Sequence, residues 1–351
     1  METVLYRMVG SNADSAAMTK SGEIIKKGGL VAFPTETVYG LGGDALNKKA
    51  SGKIYAAKGR PSDNPLIVHI AEMESLPAIV KEIPQAAYQL AKAFWPGPLT
   101  MIFQKNSIVP YETTGGLDTV AVRMPDHDVA LAFIRASSGY IAAPSANTSG
   151  RPSPTTAQHV FDDMNGKIDM ILDGGAVGIG VESTIVDLTS EVPTILRPGY
   201  INQEMLERVL GEVAVDPAIG GTLPDGTRPK APGMKYKHYA PHGELYLVEG
   251  DRDRVAARIN DLVKEHTAKG EKVGIIATQE SLDLYHGGII KSIGSRKEEE
   301  TIARNLYAVL REFDDLGVTT MYSEEFNTPQ MGMAVMNRLL KAAGHKIIQV
   351  K

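Results

Sequence analysis

The chain has 351 residues, 43% of them hydrophobic and 23% charged, with a formal net charge of −5. This is the composition of a globular protein long enough for two cores, and the acidic balance argues against an obligate nucleic-acid binder held by bulk charge. Cys is absent, which excludes a disulfide framework, a Cys nucleophile and a thiolate metal site. No apolar run approaches the roughly 18 residues of a membrane span. Met1–Arg7 lacks the basic and apolar regions of a signal peptide, so a cytoplasmic location is the default expectation.

In chain order, a helix is expected over Ser15–Lys27, stopped by Gly28 and Gly29. Leu30–Phe33 reads as a buried strand ended by Pro34, Lys48–Ala57 as a helix, and Leu66–Ile70 as a strand. A helix over Gln85–Phe94 stops at Trp95-Pro-Gly-Pro98, and strands follow at Leu99–Gln104 and Thr119–Met124. Asp128–Ser137 is a predicted helix, Tyr140–Ala143 a strand, and Thr155–Asn165 a helix capped by Thr155 or Thr156. Strands at Asp169–Leu172, Ser183–Leu188 and Ile195–Arg197 complete an α/β or α+β domain assigned to residues 1–212.

The composition then shifts. Residues 213–242 are rich in Gly and Pro, and the second half of that stretch is basic and aromatic, with Lys230, Lys235, Tyr236, Lys237, His238 and Tyr239. A passive spacer needs no such residues. Residues 243–351 alternate strand and helix: Glu244–Val248, Arg252–Lys269, Lys272–Ala277, Gly288–Ile293, Glu298–Leu316, Val318–Tyr322, Ala334–Ala343 and Lys346–Val350. That order predicts a small parallel, Rossmann-like sheet without a Gly-rich phosphate loop.

The chemistry is concentrated in turns. Gly40-Leu-Gly42-Gly-Asp-Ala45 matches G-x-G-x-x-A. Pro34–Tyr39 separate it from the preceding strand, so the dinucleotide reading is set aside. Gly40, Gly42 and Gly43 are expected to serve either a positive-φ turn or the close approach of a ligand. There is no ordinary P-loop, no H-E-x-x-H and no G-x-S-x-G around Ser145. Lys58 at a helix end is explained as well by a solvated cation, but Arg60, held between Gly59 and Pro61 with Ser62 following, favours a polyphosphate. Arg123, flanked by apolar residues, needs either a salt-bridge partner or an acidic ligand. His69 is read first as a satisfied core residue. Ser145, Asn147, Ser183, Thr184 and Arg197 add hydroxyls and a cation at further strand ends. Cations and hydroxyls with almost no candidate base suit phosphate and amino-acid binding better than acid–base hydrolysis.

Seven ordered motifs carry a resemblance: Pro34-Thr-Glu-Thr-Val-Tyr-Gly-Leu-Gly42, Lys58-x-Arg60-Pro, Asn64-Pro-Leu-Ile-Val-His69, Trp95-Pro-Gly-Pro-Leu-Thr100, Val120-Ala-Val-Arg-Met-Pro125, Ala143-Pro-Ser-Ala-Asn147 and Gly180-Val-Glu-Ser-Thr184. Together they resemble the YrdC-type threonylcarbamoyl-adenylate synthases. Ala231–Pro241 and the region after it look like that family's two-domain form. The resemblance implies a twisted mixed sheet with flanking helices and a concave site, followed by a smaller Rossmann-like domain. It implies condensation of L-threonine, bicarbonate (or CO2) and ATP into threonylcarbamoyl-adenylate with loss of pyrophosphate. The product would feed N6-threonylcarbamoyladenosine formation on tRNA by a separate transferase, with no tight nucleic-acid binding by this chain and no membrane. By the same resemblance Lys58 and Arg60 are the catalytic cations, and with Ser62, Thr119, Ser145, Asn147, Ser153, Arg197, Tyr236 and His238 they bind ATP. Thr35, His69, Arg123, Ala143 and Ser183 hold threonine, and Mg2+ accompanies ATP without a dedicated protein cage. The alternative is an RNA-binding module of the same fold without adenylate-forming activity, which would show salt-sensitive RNA binding and no ATP turnover.

Overall fold

The computed structural model describes residues 2–8, 15–221, 229–233 and 238–350. The chain divides into two compact units. Unit 1 comprises residues 1–149, 153–178 and 182–235; unit 2 comprises 150–152, 179–181 and 236–351.

Unit 1 runs β1 Val4–Arg7, α1 Ser15–Lys26, β2 Val31–Phe33, β3 Gly40–Asp44, α2 Lys48–Lys58, β4 Ile67–His69, α3 Leu76–Ile79, α4 Gln85–Phe94, β5 Leu99–Gln104, β6 Thr119–Arg123, α5 Asp128–Ala136, β7 Ile141–Ala142, α6 Ala157–Met164, β8 Met170–Asp173, β9 Thr184–Asp187, β10 Thr194–Arg197, α7 Gln203–Leu210 and β11 Ala214–Val215. The strands form one 11-stranded sheet in the order β1-β8-β2-β3-β7-β4-β6-β5-β9-β10-β11. The sheet is mixed: β4 and β6 are parallel, whereas β5 with β6 and β4 with β7 are antiparallel.

Side chains alternate across a strand, and that sorts this sheet into two faces. Ala32, Leu41, Val68, Met101, Val122 and Val186 point into the main core, with Ile54 of α2, Leu90 of α4 and Leu206 of α7. On the other face, Val31, Phe33, Ile141, Met170 and Leu172 are covered by Met18 and Ile25 of α1 and by Phe133 and Ile134 of α5. Farther along that second face Ile67, Ala121, Ile102, Ile185 and Leu196 make an apolar floor, on which Ala231 packs. The candidate site lies here.

Local chemistry sets the element ends. Asn47 Oδ1 accepts the Lys49 N–H at the start of α2, and Gly59, in the left-handed region at φ 63°, ends it. Of the two expected caps on α6, Thr156 is the one used, accepting from His159 N. The glycines of β3 correct the sequence-based expectation. Gly40–Asp44 is a strand, and Gly40, Gly42 and Gly43 are not among the positive-φ glycines. What excludes a side chain is packing: a Cβ on Gly42 would lie 2.9 Å from Ile141 Cγ2 and 3.0 Å from Val31 O, and one on Gly40 would lie 3.1 Å from Phe33 Cζ. The room left by these glycines is filled by the Phe33 ring, which stands edge-on to His69 with centroids 5.9 Å apart.

Unit 2 contains β12 Glu244–Gly250, α8 Arg252–Ala268, β13 Val273–Ala277, β14 Ile289–Ser292, α9 Glu299–Asp315, β15 Thr320–Glu324, α10 Gly332–Ala342 and β16 Ile347–Val350. Its five strands, in the order β14-β13-β15-β12-β16, are parallel throughout, as the alternation predicts. The carboxyl ends of these strands carry a polar network. Glu324, 4% exposed, accepts from Thr278 N, Thr278 Oγ1, Ser281 Oγ and Tyr285 OH at 2.8–3.1 Å.

Candidate functional site

Strand pairing gathers the expected residues onto one sheet face. His69 is in register with Arg123, and Ile67 with Ala121. His69 also pairs with Ile141, and Ala143 N donates to Ile67 O at 2.8 Å. Thr119, Ala121 and Arg123 are two residues apart along β6 and share that face. Thr100 of β5 pairs with both Arg123 and Ile185, and Ile185 pairs with Arg197 across a bulge in β10. Thus Thr119, His69, Arg123, Ala143, Ser183 and Arg197 come from five places in the chain to one surface. Only the periodicity of each strand was visible in the sequence; the pairing was not.

At the Arg123 end, Pro34 stops β2 and the next residues form a hydroxyl-rich turn. Thr35 Oγ1 donates to Val38 O at 2.7 Å and accepts from Thr37 N and Val38 N. Thr35 Oγ1 and Thr37 Oγ1 also lie 2.8 Å apart, a contact that either hydroxyl can donate. Thr37 Oγ1 in turn accepts from Arg123 Nη1 at 2.9 Å, and Arg123 Nε reaches Gly97 O at 3.4 Å. Arg123 Nη2 lies 2.6 Å from Glu36 Oε2, yet neither that nitrogen nor either Glu36 oxygen makes a hydrogen bond. The two charges touch with the N–H directed elsewhere. Of the two alternatives for Arg123, the salt bridge is present, and it leaves hydrogen-bonding capacity unused. His127 Nδ1 is likewise buried without a bond.

His69 is 4% exposed, with Nδ1 3.1 Å from Ile67 O. Burial, and next the Arg123 charge, push its pKa down to about 3. The imidazole is therefore neutral at pH 7, acting as a hydrogen-bonding wall and not as a cation. Ser183 joins the two ends: its Oγ contacts Thr100 Oγ1 at 2.8 Å, and Arg197 donates to its carbonyl through Nε and Nη2 at 3.0 and 2.9 Å and to its Oγ at 3.1 Å.

Toward the other end, Lys58 is 3% exposed, which rules out the solvated helix-end cation. Its ammonium donates to Ser145 O, to Asn147 O at 2.5 Å and to Asn147 Oδ1 at 3.3 Å. Ser145 Oγ donates to that same Oδ1 at 2.6 Å. The buried cation thus organises the loop after β7, which an isolated bridge between Gly40 and Ser145 ties to β3. Arg60 Nη2 donates to Asn64 O and Pro65 O, bracing the turn into β4, while Ser62 is exposed in that turn. Ser153 is fully buried and donates to Glu182 Oε1 at 2.5 Å.

Two expected residues belong elsewhere in the chain. His238 belongs to unit 2, where its ring adjoins Tyr239 and Tyr239 stacks on Tyr307. Tyr236 is outside the described residues. Glu36, Thr37, Thr100 and Glu182 join the constellation without having been singled out. Each sits inside a quoted motif, and period-two counting along β5 would have put Thr100 beside Ile102 on the site face.

Comparison with known proteins adds an independent line. A Sua5/YciO/YrdC family model, described as telomere recombination, matches residues 23–199, and one described as threonylcarbamoyl-AMP synthase, C-terminal domain, matches residues 201–344. The chain is 52% identical to the threonylcarbamoyl-AMP synthase of Pyrococcus abyssi, over 93% of this chain and 94% of that one. It is 47% identical to that of Bacillus subtilis, over 96% and 94%. Among solved structures, P. abyssi Sua5 complexed with L-threonine has a TM-score of 0.93 at 48% identity, covering 100% of both chains. E. coli YciO, at 23% identity and a TM-score of 0.52, shares the fold over 56% of this chain and 96% of that one.

Proposed function

The chain belongs to the threonylcarbamoyl-AMP synthase family, and from that premise we propose that unit 1 condenses L-threonine, bicarbonate or CO2, and ATP into L-threonylcarbamoyladenylate, releasing pyrophosphate. The observation that carries this reading is the shared sheet face, with an under-bonded Arg123 at one end and Lys58 and Arg60 bracing the loops at the other. Thr119 and Arg123 are four residues apart on β6, about 13 Å at ~3.3 Å per residue. That span suits an amino acid at one end and a triphosphate at the other.

In the proposed reaction, the threonine amine adds to the carbon of CO2 and loses its proton, giving a carbamate. A carbamate oxygen then attacks the α-phosphorus, and the bond to the β,γ-pyrophosphate breaks. Such a transfer needs alignment and charge stabilisation more than a protein nucleophile. Arg123 takes the threonine carboxylate, between the Thr35–Thr37 turn, neutral His69, Ser183 and the backbone at Ala143. Lys58 and Arg60 are assigned to the phosphates, and Ser62, Thr119, Ser145, Asn147, Ser153, Arg197, Tyr236 and His238 to the nucleotide. Mg2+ fits as an ion carried by the triphosphate, where it would neutralise phosphate oxygens. The product supplies N6-threonylcarbamoyladenosine formation on tRNA by a separate transferase.

The test is pyrophosphate release from ATP by the full chain, measured with threonine and bicarbonate each supplied or withheld. Release dependent on both supports the reading. RNA binding without release at any Mg2+ concentration would favour the RNA-binding alternative and end the proposal.

A further inference from the structure

We propose that Glu36 receives the α-ammonium of the amino-acid substrate and so makes this end of the site select a zwitterion. The inference rests on the threonine reading of the site. Arg123 Nη2 and Glu36 Oε2 form an ion pair at 2.6 Å without hydrogen-bond alignment, and Glu36 Oε1 beside them is buried with no hydrogen bond. A buried polar group left unbonded is destabilising, and one kept in a folded protein marks strain, a catalytic or ligand-binding role, or an ordered water or ion. The guanidinium is held in this orientation by Thr37 at Nη1 and, at 3.4 Å, by Gly97 O at Nε. Glu36 cannot escape to water, since its side chain is only 13% exposed.

An α-amino acid supplies what both groups lack. Its carboxylate brings acceptors for Arg123 Nη2, and its ammonium brings donors for Glu36. The other neighbours do not offer the ammonium a charge. His69 is neutral, and the hydroxyls of Thr35, Thr37 and Ser183 are engaged with one another, with backbone or with arginine. In this structure Glu36 stands where a substrate carboxylate would meet Arg123; with the amino acid bound it takes the opposite charge on the same molecule. The turn that holds Glu36 thereby reads the spacing between the two charges of the substrate.

Calorimetric titration of the full chain with L-threonine and with (R)-3-hydroxybutyrate, which is threonine with hydrogen in place of the ammonium, separates this role from simple propping of Arg123. The wild type should prefer threonine by roughly 30-fold, the scale of a charge-assisted hydrogen bond. Glu36→Gln should weaken threonine by about that factor and leave the analogue unchanged or tighter, while Glu36→Asp retains part of the preference. Equal binding of the two ligands by the wild type overturns the inference without recourse to any variant. So does a Glu36→Gln protein that loses both ligands equally or keeps its threonine affinity. A wild type that binds no threonine at all refutes the site reading itself, and the inference with it.

Discussion

Arg123 shows how one side chain can serve both fold and site. Its guanidinium is buried, hydrogen-bonded through two nitrogens and ion-paired to Glu36 through the third. Replacing it by Ala removes the anchor for the threonine carboxylate and leaves Glu36 a buried, uncompensated charge. The threonine KM should rise by roughly 30- to 150-fold, about 2–3 kcal/mol for a hydrogen bond to a charged group, with the ATP KM within about twofold; initial rates with each substrate varied in turn check this. A rise confined to the ATP KM would move Arg123 to the nucleotide side. At His69 the consequence is one of pH. Its pKa is pushed from 6.5 down to about 3 in the folded chain, so between those values the unfolded chain binds more protons than the folded one. Its contribution is fully present above pH 6.5 and is lost as pH falls toward 3. Melting curves of the wild type and His69→Asn should therefore converge on acidification through that window, whereas parallel curves would show that His69 does not titrate there.

At the scale of the element, β3 is the informative case. A run of Gly suggests a turn, because glycine tolerates positive φ. Here Gly40, Gly42 and Gly43 are extended, and their missing side chains admit Phe33, Ile141 and Ile54. Gly42→Ala should cost about 1–3 kcal/mol through overpacking and weaken threonine binding as Phe33, which abuts His69, is displaced; denaturant melts and calorimetry report the two effects. A neutral substitution would mean that β3 yields easily. Elements with strong local signals are where their patterns put them: α4 spans Gln85–Phe94 and β5 spans Leu99–Gln104, as expected. The short strands β1 and β11 and the helix α7 were not anticipated. For β1 and β11 the reason is physical: two to four residues have little periodicity of their own, and pairing with β8 and β10 holds them in place.

For the molecule as a whole, each unit has its own sheet and core, and every residue assigned to the amino-acid end lies in unit 1. A chain ending at Lys235 should then bind threonine within about threefold of the full chain. A chain ending at Arg197 loses α7, and with it the buried Leu206, so it should be strongly destabilised. Calorimetry on the first and thermal melting of the second test the division. Loss of threonine binding at Lys235 would mean that the amino-acid end draws on unit 2.

The motifs were legible because each is local: a cation between Gly and Pro, a hydroxyl after a strand, an arginine in an apolar run. Composition and alternation likewise determined the fold class and the parallel second sheet, since periodicity reflects which face of an element avoids water. Tertiary pairing alone decided the rest. It set His69 against Arg123, joined Ser183 to Arg197 through β9 and β10, and buried Lys58 against a loop some ninety residues later, at Ser145 and Asn147. It also paired Glu36 with Arg123 as buried charges without an aligned hydrogen bond. Contacts between distant strands depend on register and burial, and neither is encoded in the neighbourhood of a single residue.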